Sequence, residues 1–256
     1  MKFAVVYSKK DTAGMNIASF ISSLPKHFVD CDIINAENID EKPELKDKDF
    51  IIFASKHQGK KGKMLSVHAP GNWRKAELGG KPERVCKTSS IILKTFFQEI
   101  NKNIPKEWES TLECTHHGPY IEKPCLFIEI GSSEKEWKDK HAGGIIAETI
   151  KQAIDSFNKK EDKKFISSIG IGGPHYCPNF NKIQLNSKYA IGHIIPEHAL
   201  PLTEEMLQEA INKTIPKPEI ILLDWKGLGK SEQRQQIIEL LKKSGLEFKR
   251  TSEVEK

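Results

Sequence analysis

Short apolar bursts of strand length recur along this chain between longer stretches with helical striping, and that alternation constrains the fold more than any other feature. Phe3–Tyr7, Cys31–Asn35, Phe50–Ser55, Met64–His68, Leu112–His116, Cys125–Ile130, Phe165–Ile171, Tyr189–Ile195 and Glu219–Leu223 read as strands. Between them, Met15, Ala18, Ile21 and Ser22 line one helix face, and Ile146, Ile150, Ala153, Ile154 and Phe157 line another at helical spacing. Thr203–Asn212 and the stretch from Ser231 to Gly245 read as further helices. Pro82 is expected to open a helix carrying Val85, Ile92, Leu93 and Phe96, because its missing N–H would be unpaired in a first turn anyway. Ser133 and Glu136 form a capping-box pattern ahead of the long Ile146–Phe157 helix. Strand–helix alternation of this kind predicts an α/β layered fold around a largely parallel sheet.

The 256 residues suit one large domain, with no repeat and no low-complexity linker. Pro216-Lys217-Pro218 is the one boundary signal. Residues 218–256 after it read as a terminal β-α-β extension of a single α/β domain spanning 1–256. No apolar run approaches the roughly 20 residues of a membrane-spanning helix, and mean hydropathy is −0.50. The apolar run near Met1 is too short for a signal peptide. Five cysteines without a CxxC pair (Cys31, Cys86, Cys114, Cys125, Cys177) read as reduced thiols, so a cytoplasmic protein is expected.

Six of the nine histidines stand at or beside expected strand ends: His57, His68, His116, His117, His175 and His193. Open α/β sheets bind ligands beyond the carboxyl ends of their strands, so these six are expected to line one site. Imidazole serves there as general base, general acid or metal ligand. Glu113 and Glu129 are the acidic partners within reach. Glu129 sits inside the apolar run Phe127–Gly131, where an unpaired carboxylate is costly to bury. It therefore needs a polar partner, unless its strand is an edge and the side chain faces water. There is no HExxH motif, no GxSxG elbow, no Walker A sequence and no GxGxxG after the first strand. Gly172 and Gly173, in Gly170-Ile171-Gly172-Gly173, suit close backbone approach to a ligand or a tight turn.

The net charge is +5, and only four of the 40 basic residues are arginine. Lysine binds phosphate as a mobile point charge, whereas arginine forks onto base edges. A nucleic-acid partner would therefore be held mainly by its backbone. Lys56, His57, Lys60, Lys61 and Lys63 lie in a Gly-interrupted basic segment suited to phosphates, with no aromatic residue until Trp73.

Together these motifs resemble the archaeal-type D-aminoacyl-tRNA deacylase family. The matching pieces are His68-Ala69-Pro70-Gly71-Asn72-Trp73, Glu113-Cys114-Thr115-His116-His117-Gly118-Pro119, Phe127–Ser132 with Trp137, Gly170–Tyr176 and Gly192-His193. The region after Pro216 carries no matching motif. The resemblance implies a three-layer α/β/α sandwich of the phosphorylase/hydrolase-like kind, akin to peptidyl-tRNA hydrolase. It also implies hydrolysis of the ester joining a D-amino acid to tRNA, and an association with zinc.

Within that frame the residues divide as follows. His68, His175 and His193 are the expected metal ligands. His117 or His116, supported by Glu129, is the expected acid/base. If the strand ending at Thr115 stays extended to Gly118, His117 shares the polar face with Glu113 and Thr115, while His116 points to the layer beneath. Backbone N–H groups of Gly172 and Gly173 are expected oxyanion donors. Lys56, His57, Lys60, Lys61, Lys63 and Asn72 are expected to hold the acceptor end of tRNA, in a monomer without membrane contact. A metal-free route, with the tRNA 2′-OH positioning the water, stands beside the zinc route. The other classes are a peptidyl-tRNA hydrolase, a zinc amidohydrolase, and a non-catalytic RNA-binding module.

Overall fold

The computed structural model describes residues 1–159 and 164–255. Its first half carries β1 (Phe3–Ser8), α1 (Thr12–Phe20), β2 (Lys26–Val29), β3 (Phe50–Gln58), β4 (Met64–His68), β5 (Thr88–Ser89), α2 (Ser90–Asn103), β6 (Glu109–Leu112) and β7 (Cys125–Ser132). The second half carries α3 (Glu134–Trp137), α4 (Lys140–Asn158), β8 (Ile166–Ile171), α5 (Pro178–Asn186), β9 (Tyr189–Ile195), α6 (Glu204–Lys213), β10 (Thr214–Ile215), β11 (Ile220–Leu223), α7 (Ser231–Ser244) and β12 (Glu247–Arg250).

The α/β layering is as expected, but the strands divide between two main sheets. One has the order β2-β1-β3-β7-β4-β6, the other β12-β11-β8-β9, and β10 pairs with β5 in a short third. Every pairing in the two main sheets is parallel except β4 with β7. Hydrophobic alternation marks a strand without naming its neighbour, so the split is invisible in the pattern.

Both faces of the six-stranded sheet are buried, and the side chains divide by the period of two. Phe3, Val5, Ile52, Leu65 and Ile128 point to one face, where α2 and α4 meet them with Ile92, Phe96, Ile146 and Ile150. Ile191 and Leu222 of the four-stranded sheet join the same core, so these helices lie between the two sheets. On the far side of the four-stranded sheet, α6 and α7 press Met206, Leu207, Ile237 and Leu241 onto Ile169, Ile171, Ile221 and Leu223. The outer face of the six-stranded sheet (Ala4, Val6, Ile51, Phe53, Phe127) is closed by 3-10 turns bearing Ile33, Ile39 and Leu45.

Several element boundaries differ from expectation. The second strand is Lys26–Val29, and Ile33–Asn35 is a 3-10 turn. The α2 helix starts at Ser90, its cap being the Ser89 hydroxyl, which accepts from Ile92 N–H, and Pro82 lies in the loop before it. A free side-chain oxygen at the cap outranks proline as a start signal. The Ser133–Glu136 capping box closes only the short α3, while α4 has its own cap in Asp139. In α1 the buried face is Ala13, Gly14, Asn16, Ile17 and Ala18, and Met15 is 44% exposed. Asp11 sets that rotation by accepting Gly14 N–H at 2.8 Å while its other oxygen accepts Ser55 O–H from β3. The expected terminal β-α-β unit is β11-α7-β12, whose helix ends at Gly245 with φ 72°, a left-handed turn that glycine adopts freely.

Candidate active site

Glu113 follows the last residue of β6, and its side chain is fully buried. Four imidazoles face its carboxylate. His175 Nε2 lies 2.8 Å from Oε2, His57 Nδ1 3.1 Å and His116 Nε2 3.6 Å, while His68 Nδ1 is 4.0 Å from Oε1. His117 packs against His68 and His116 with ring centroids 4.9 and 4.3 Å away. Five of the six expected histidines therefore converge.

Separate elements deliver them. His57 is on β3, where Gly131 of β7 stands opposite it in register. A Cβ at Gly131 would approach His57 Cδ2 to 2.7 Å, so the missing side chain makes room for the ring. His68 ends β4 and stacks on Phe127, with centroids 5.3 Å apart. His175 lies in the loop after β8. The cluster thus lies between the C-terminal residues of the oppositely directed β3 and β4 and the loop at the carboxyl end of β8, joining the two main sheets.

Hydrogen bonds set the tautomers. Carbonyl oxygens only accept, so His116 donates from Nδ1 to Cys114 O at 2.8 Å, and His117 from Nδ1 to Gly118 O at 2.6 Å. Their Nε2 atoms are left with lone pairs. His175 and His57 donate to Glu113. The other His57 nitrogen accepts from the Tyr176 hydroxyl at 3.1 Å, and the other His175 nitrogen faces the Cys114 thiol at 3.4 Å.

These contacts separate the two carboxylates. Burial alone would raise the Glu113 pKa, but the hydrogen bonds from His175 and His57 hold it well below the usual carboxylate range. Burial, the charge of Glu113 and that of Asp11 push Glu129 well above that range. The surroundings thus favour the ionised form of Glu113 and the neutral form of Glu129. Burial also lowers His68 and His116 far below the ordinary imidazole value, and His117 to about 4. The three rings are neutral and able to accept protons.

Several expected roles are corrected. His193 is not in the cluster: its Nε2–H donates to Cys86 O at 2.9 Å, and its Nδ1 accepts from Thr115 at 3.0 Å. Both nitrogens are used, so it cannot be a metal ligand. Gly172 N–H donates to Ile195 O at 2.8 Å, and a Cβ on Gly173 would meet Asp224 Oδ2 at 2.7 Å. Their φ angles of 93° and 83° mark a tight turn, and the Gly172 N–H, spent on Ile195, is not free as an oxyanion donor. The strand stops at Leu112, and His117 has φ 48°, so strand alternation does not extend to the pair. His116 and His117 both enter the cluster, and His116 does not point to a layer beneath.

Glu129 lies on β7, a strand paired on both sides by β3 and β4, which removes the edge-strand alternative. Its contact is His57 Nδ1 at 3.8 Å. The carboxylate that supports His116 is Glu113, not Glu129. Asn72 is buried and donates to Gly79 O at 2.9 Å, bracing the loop beside the site.

A cleft of about 780 Å³ opens next to the cluster, lined by Asn72, Trp73, Arg74, Lys75, Thr115 and His116 among others. On the other flank the basic segment carries exposed Lys60 and Lys61. Lys61 Nζ lies 4.4 Å from the Tyr176 ring, Lys56 Nζ 5.5 Å from Trp137, and Lys63 Nζ 5.8 Å from Trp108. The aromatic partners missing from the segment itself come from elsewhere in the chain. Sequence reasoning missed Tyr176 and Cys114, and it gave the central role to the wrong carboxylate.

Metal fit rests on donor spacing. His68 Nε2 and His117 Nε2 face each other at 3.3 Å. Two nitrogens on one tetrahedral zinc ion, each bonded at about 2.05 Å, stand roughly 3.3 Å apart. His116 completes a three-nitrogen set with them. Cys114, His116 and His175 form a second possible set, and His57, Glu113 and Glu129 a third. The buried Nδ1 of His68 and Oε1 of Glu113 have no hydrogen-bond partner among the described residues.

A buried carboxylate ringed by imidazoles, in an α/β protein and beside an open cleft, defines a hydrolytic type of centre. Comparison with known proteins places it further. The model of a family described as D-aminoacyl-tRNA deacylase matches residues 44–249. A protein of that name from Pyrococcus abyssi is 43% identical over 81% of this chain and 74% of its own length. One from Methanocaldococcus jannaschii is 35% identical over 98% of this chain and 100% of its own. A crystal structure described as a conserved protein of unknown function superposes with TM-score 0.89 at 31% identity, covering 99% of this chain and 96% of that one. The chain belongs to the D-aminoacyl-tRNA deacylase family.

Proposed function

We propose that the protein hydrolyses the ester of D-aminoacyl-tRNA, releasing the D-amino acid and free tRNA in translation quality control. The observation that carries this reading is the ionised Glu113 beneath neutral His116 at the edge of the cleft, in a chain of this family. Ester hydrolysis needs a base for the attacking water and an acid for the departing ribose oxygen.

His116 has the features of both. Its Nδ1–H is held by Cys114 O, and its side chain is 22% exposed. Nε2 takes the proton from water, and the imidazolium so formed lies beside Glu113 at 3.6 Å. The same nitrogen then returns the proton to the leaving ribose oxygen. His175 and His57 keep the carboxylate ionised and fixed, as the third member of a nucleophile–base–acid array does. His117 positions His68 and His116.

A second reading is favoured by the 3.3 Å spacing of His68 and His117. Zinc held by His68, His116 and His117 would act as a Lewis acid toward the ester or its water. His116 would then be a ligand and not a free base, so metal content separates the two readings.

Lys56, Lys60, Lys61 and Lys63 flank the cluster and suit the phosphates of the acceptor end. Among the described residues, no helix is long and apolar enough to cross a membrane. Amino acid release from D-tyrosyl-tRNA above the spontaneous rate supports the proposal, and no release above that rate overturns it.

A further inference from the structure

Two of the chain's four arginines meet on one aromatic ring in the C-terminal β11-α7-β12 unit. The Arg250 guanidinium lies 3.8 Å from the Trp225 centroid and that of Arg234 5.1 Å. A guanidinium stacked on a ring presents its in-plane N–H groups outward; Nε of Arg250 faces Glu253 Oε1 at 3.8 Å, and its terminal N–H groups are of the kind that matches phosphate oxygens in pairs. Beside the ring runs a groove of about 600 Å³ whose lining includes Lys182, Lys226 and Arg250. Of its two carboxylates, Asp224 is buried and accepts from Asn179 Nδ2 at 3.0 Å, leaving Glu255 as the exposed one. The groove wall thus carries Lys182, Lys226 and Arg250 against one exposed carboxylate, with Glu253 beside Arg250 at its rim.

Topology puts this groove on the active-site edge. Leu223 of β11 pairs in parallel with Ile171 of β8 and with Arg250 of β12. Trp225 and Arg250 thus emerge at the same sheet edge as the loop that carries His175. Adjacent strands lie about 4.8 Å apart, so β11 and β12 stand roughly 5 and 10 Å from β8 along that edge. That is the span of a few nucleotides.

We infer that the Trp225–Arg250 groove binds the phosphodiester backbone of the tRNA acceptor end, as a basic surface separate from the Lys56–Lys63 segment. This inference rests on the function proposed above. Trp225 is a positioning residue that holds Arg250. Contacts of this kind fix the position of the RNA without reading its bases.

The test measures binding of uncharged tRNA across a salt series, together with kcat and KM on D-tyrosyl-tRNA. The proteins are wild type, Arg250→Gln, Lys226→Gln and Lys242→Gln, the last on α7 outside the groove. Arg250→Gln is expected to weaken tRNA binding about tenfold, as loss of a charge-assisted contact does. It should also flatten the log–log salt slope by roughly 0.7 to 0.9. KM should rise with kcat unchanged. Lys226→Gln should act in the same direction, and Lys242→Gln should match wild type. Trp225→Leu should reproduce Arg250→Gln while Trp225→Phe, which keeps a stacking face, should restore binding. Wild-type Kd and slope in both groove variants would overturn the inference. Wild-type enzyme that binds tRNA through this groove without cleaving the D-ester would overturn the proposed function instead.

Discussion

His175 Nε2 donates to Glu113 Oε2 across 2.8 Å, joining residues 62 apart in the chain. The bond ties the loop after β8, in one sheet, to the segment after β6, in the other. Neither sheet alone assembles the site. The bond is also the strongest single reason that Glu113 stays ionised while buried.

Glu113→Gln is the sharpest probe of that arrangement. Its amide oxygen can still accept from His175 and His57 at the Oε2 position, but the negative charge beside His116 is lost. The expected result is a kcat about 10²–10⁴ lower, with little change in KM and a folded protein by circular dichroism. Wild-type kcat in this variant would remove Glu113 from the mechanism.

His116 and His117 are expected to separate. His116→Asn should lower kcat about 10²–10⁴-fold, because the acceptor nitrogen is lost. His117→Asn should cost much less, since asparagine tolerates the left-handed φ of 48° and His117 acts only through its neighbours. Equal losses in the two variants, at unchanged melting temperature, would show that the pair acts jointly.

Zinc content discriminates between the two readings of the cluster. On the zinc reading, protein incubated with zinc and then dialysed retains the ion, and His68→Ala or His117→Asn loses it; with His116 as a free base, the dialysed protein retains none. Elemental analysis gives the stoichiometry independently of activity. Full activity in protein that retains no metal would leave His116 as the base and exclude the zinc reading.

His193 makes a pH prediction. Burial holds its folded-state pKa down to about 4 from the ordinary 6.5. Between those values the unfolded chain binds the proton and the folded chain does not, so stability falls as pH drops from 6.5 toward 4. The loss from this residue is on the order of 3 kcal/mol. Denaturant titrations at pH 7.5 and pH 4.5 should show a smaller difference for His193→Gln than for wild type. An identical difference would mean that this ring contributes nothing to acid sensitivity.

Much of the fold was legible, because Met64–His68 and Tyr189–Ile195 are apolar runs bounded by polar or turn-forming residues and match their strands residue for residue. The gathering of histidines was legible for the same reason, since strand ends are readable. The division of roles was not. Glu113 lies past its strand and owes its importance to His57 and His175, which arrive from distant segments. His193 was misassigned because its two hydrogen-bond partners, Cys86 O and Thr115, are tertiary contacts. Gly172 and Gly173 carry a tight turn that spacing alone does not distinguish from an anion cradle.

The central claim is tested most directly by one paired measurement: amino acid release from D-tyrosyl-tRNA and L-tyrosyl-tRNA by the same preparation, with Glu113→Gln alongside. The expected result is rapid release of D-tyrosine, L-tyrosine release near the spontaneous rate, and collapse of D-release in the variant. Equal rates on the two esters, or undiminished D-release by Glu113→Gln, would contradict the account.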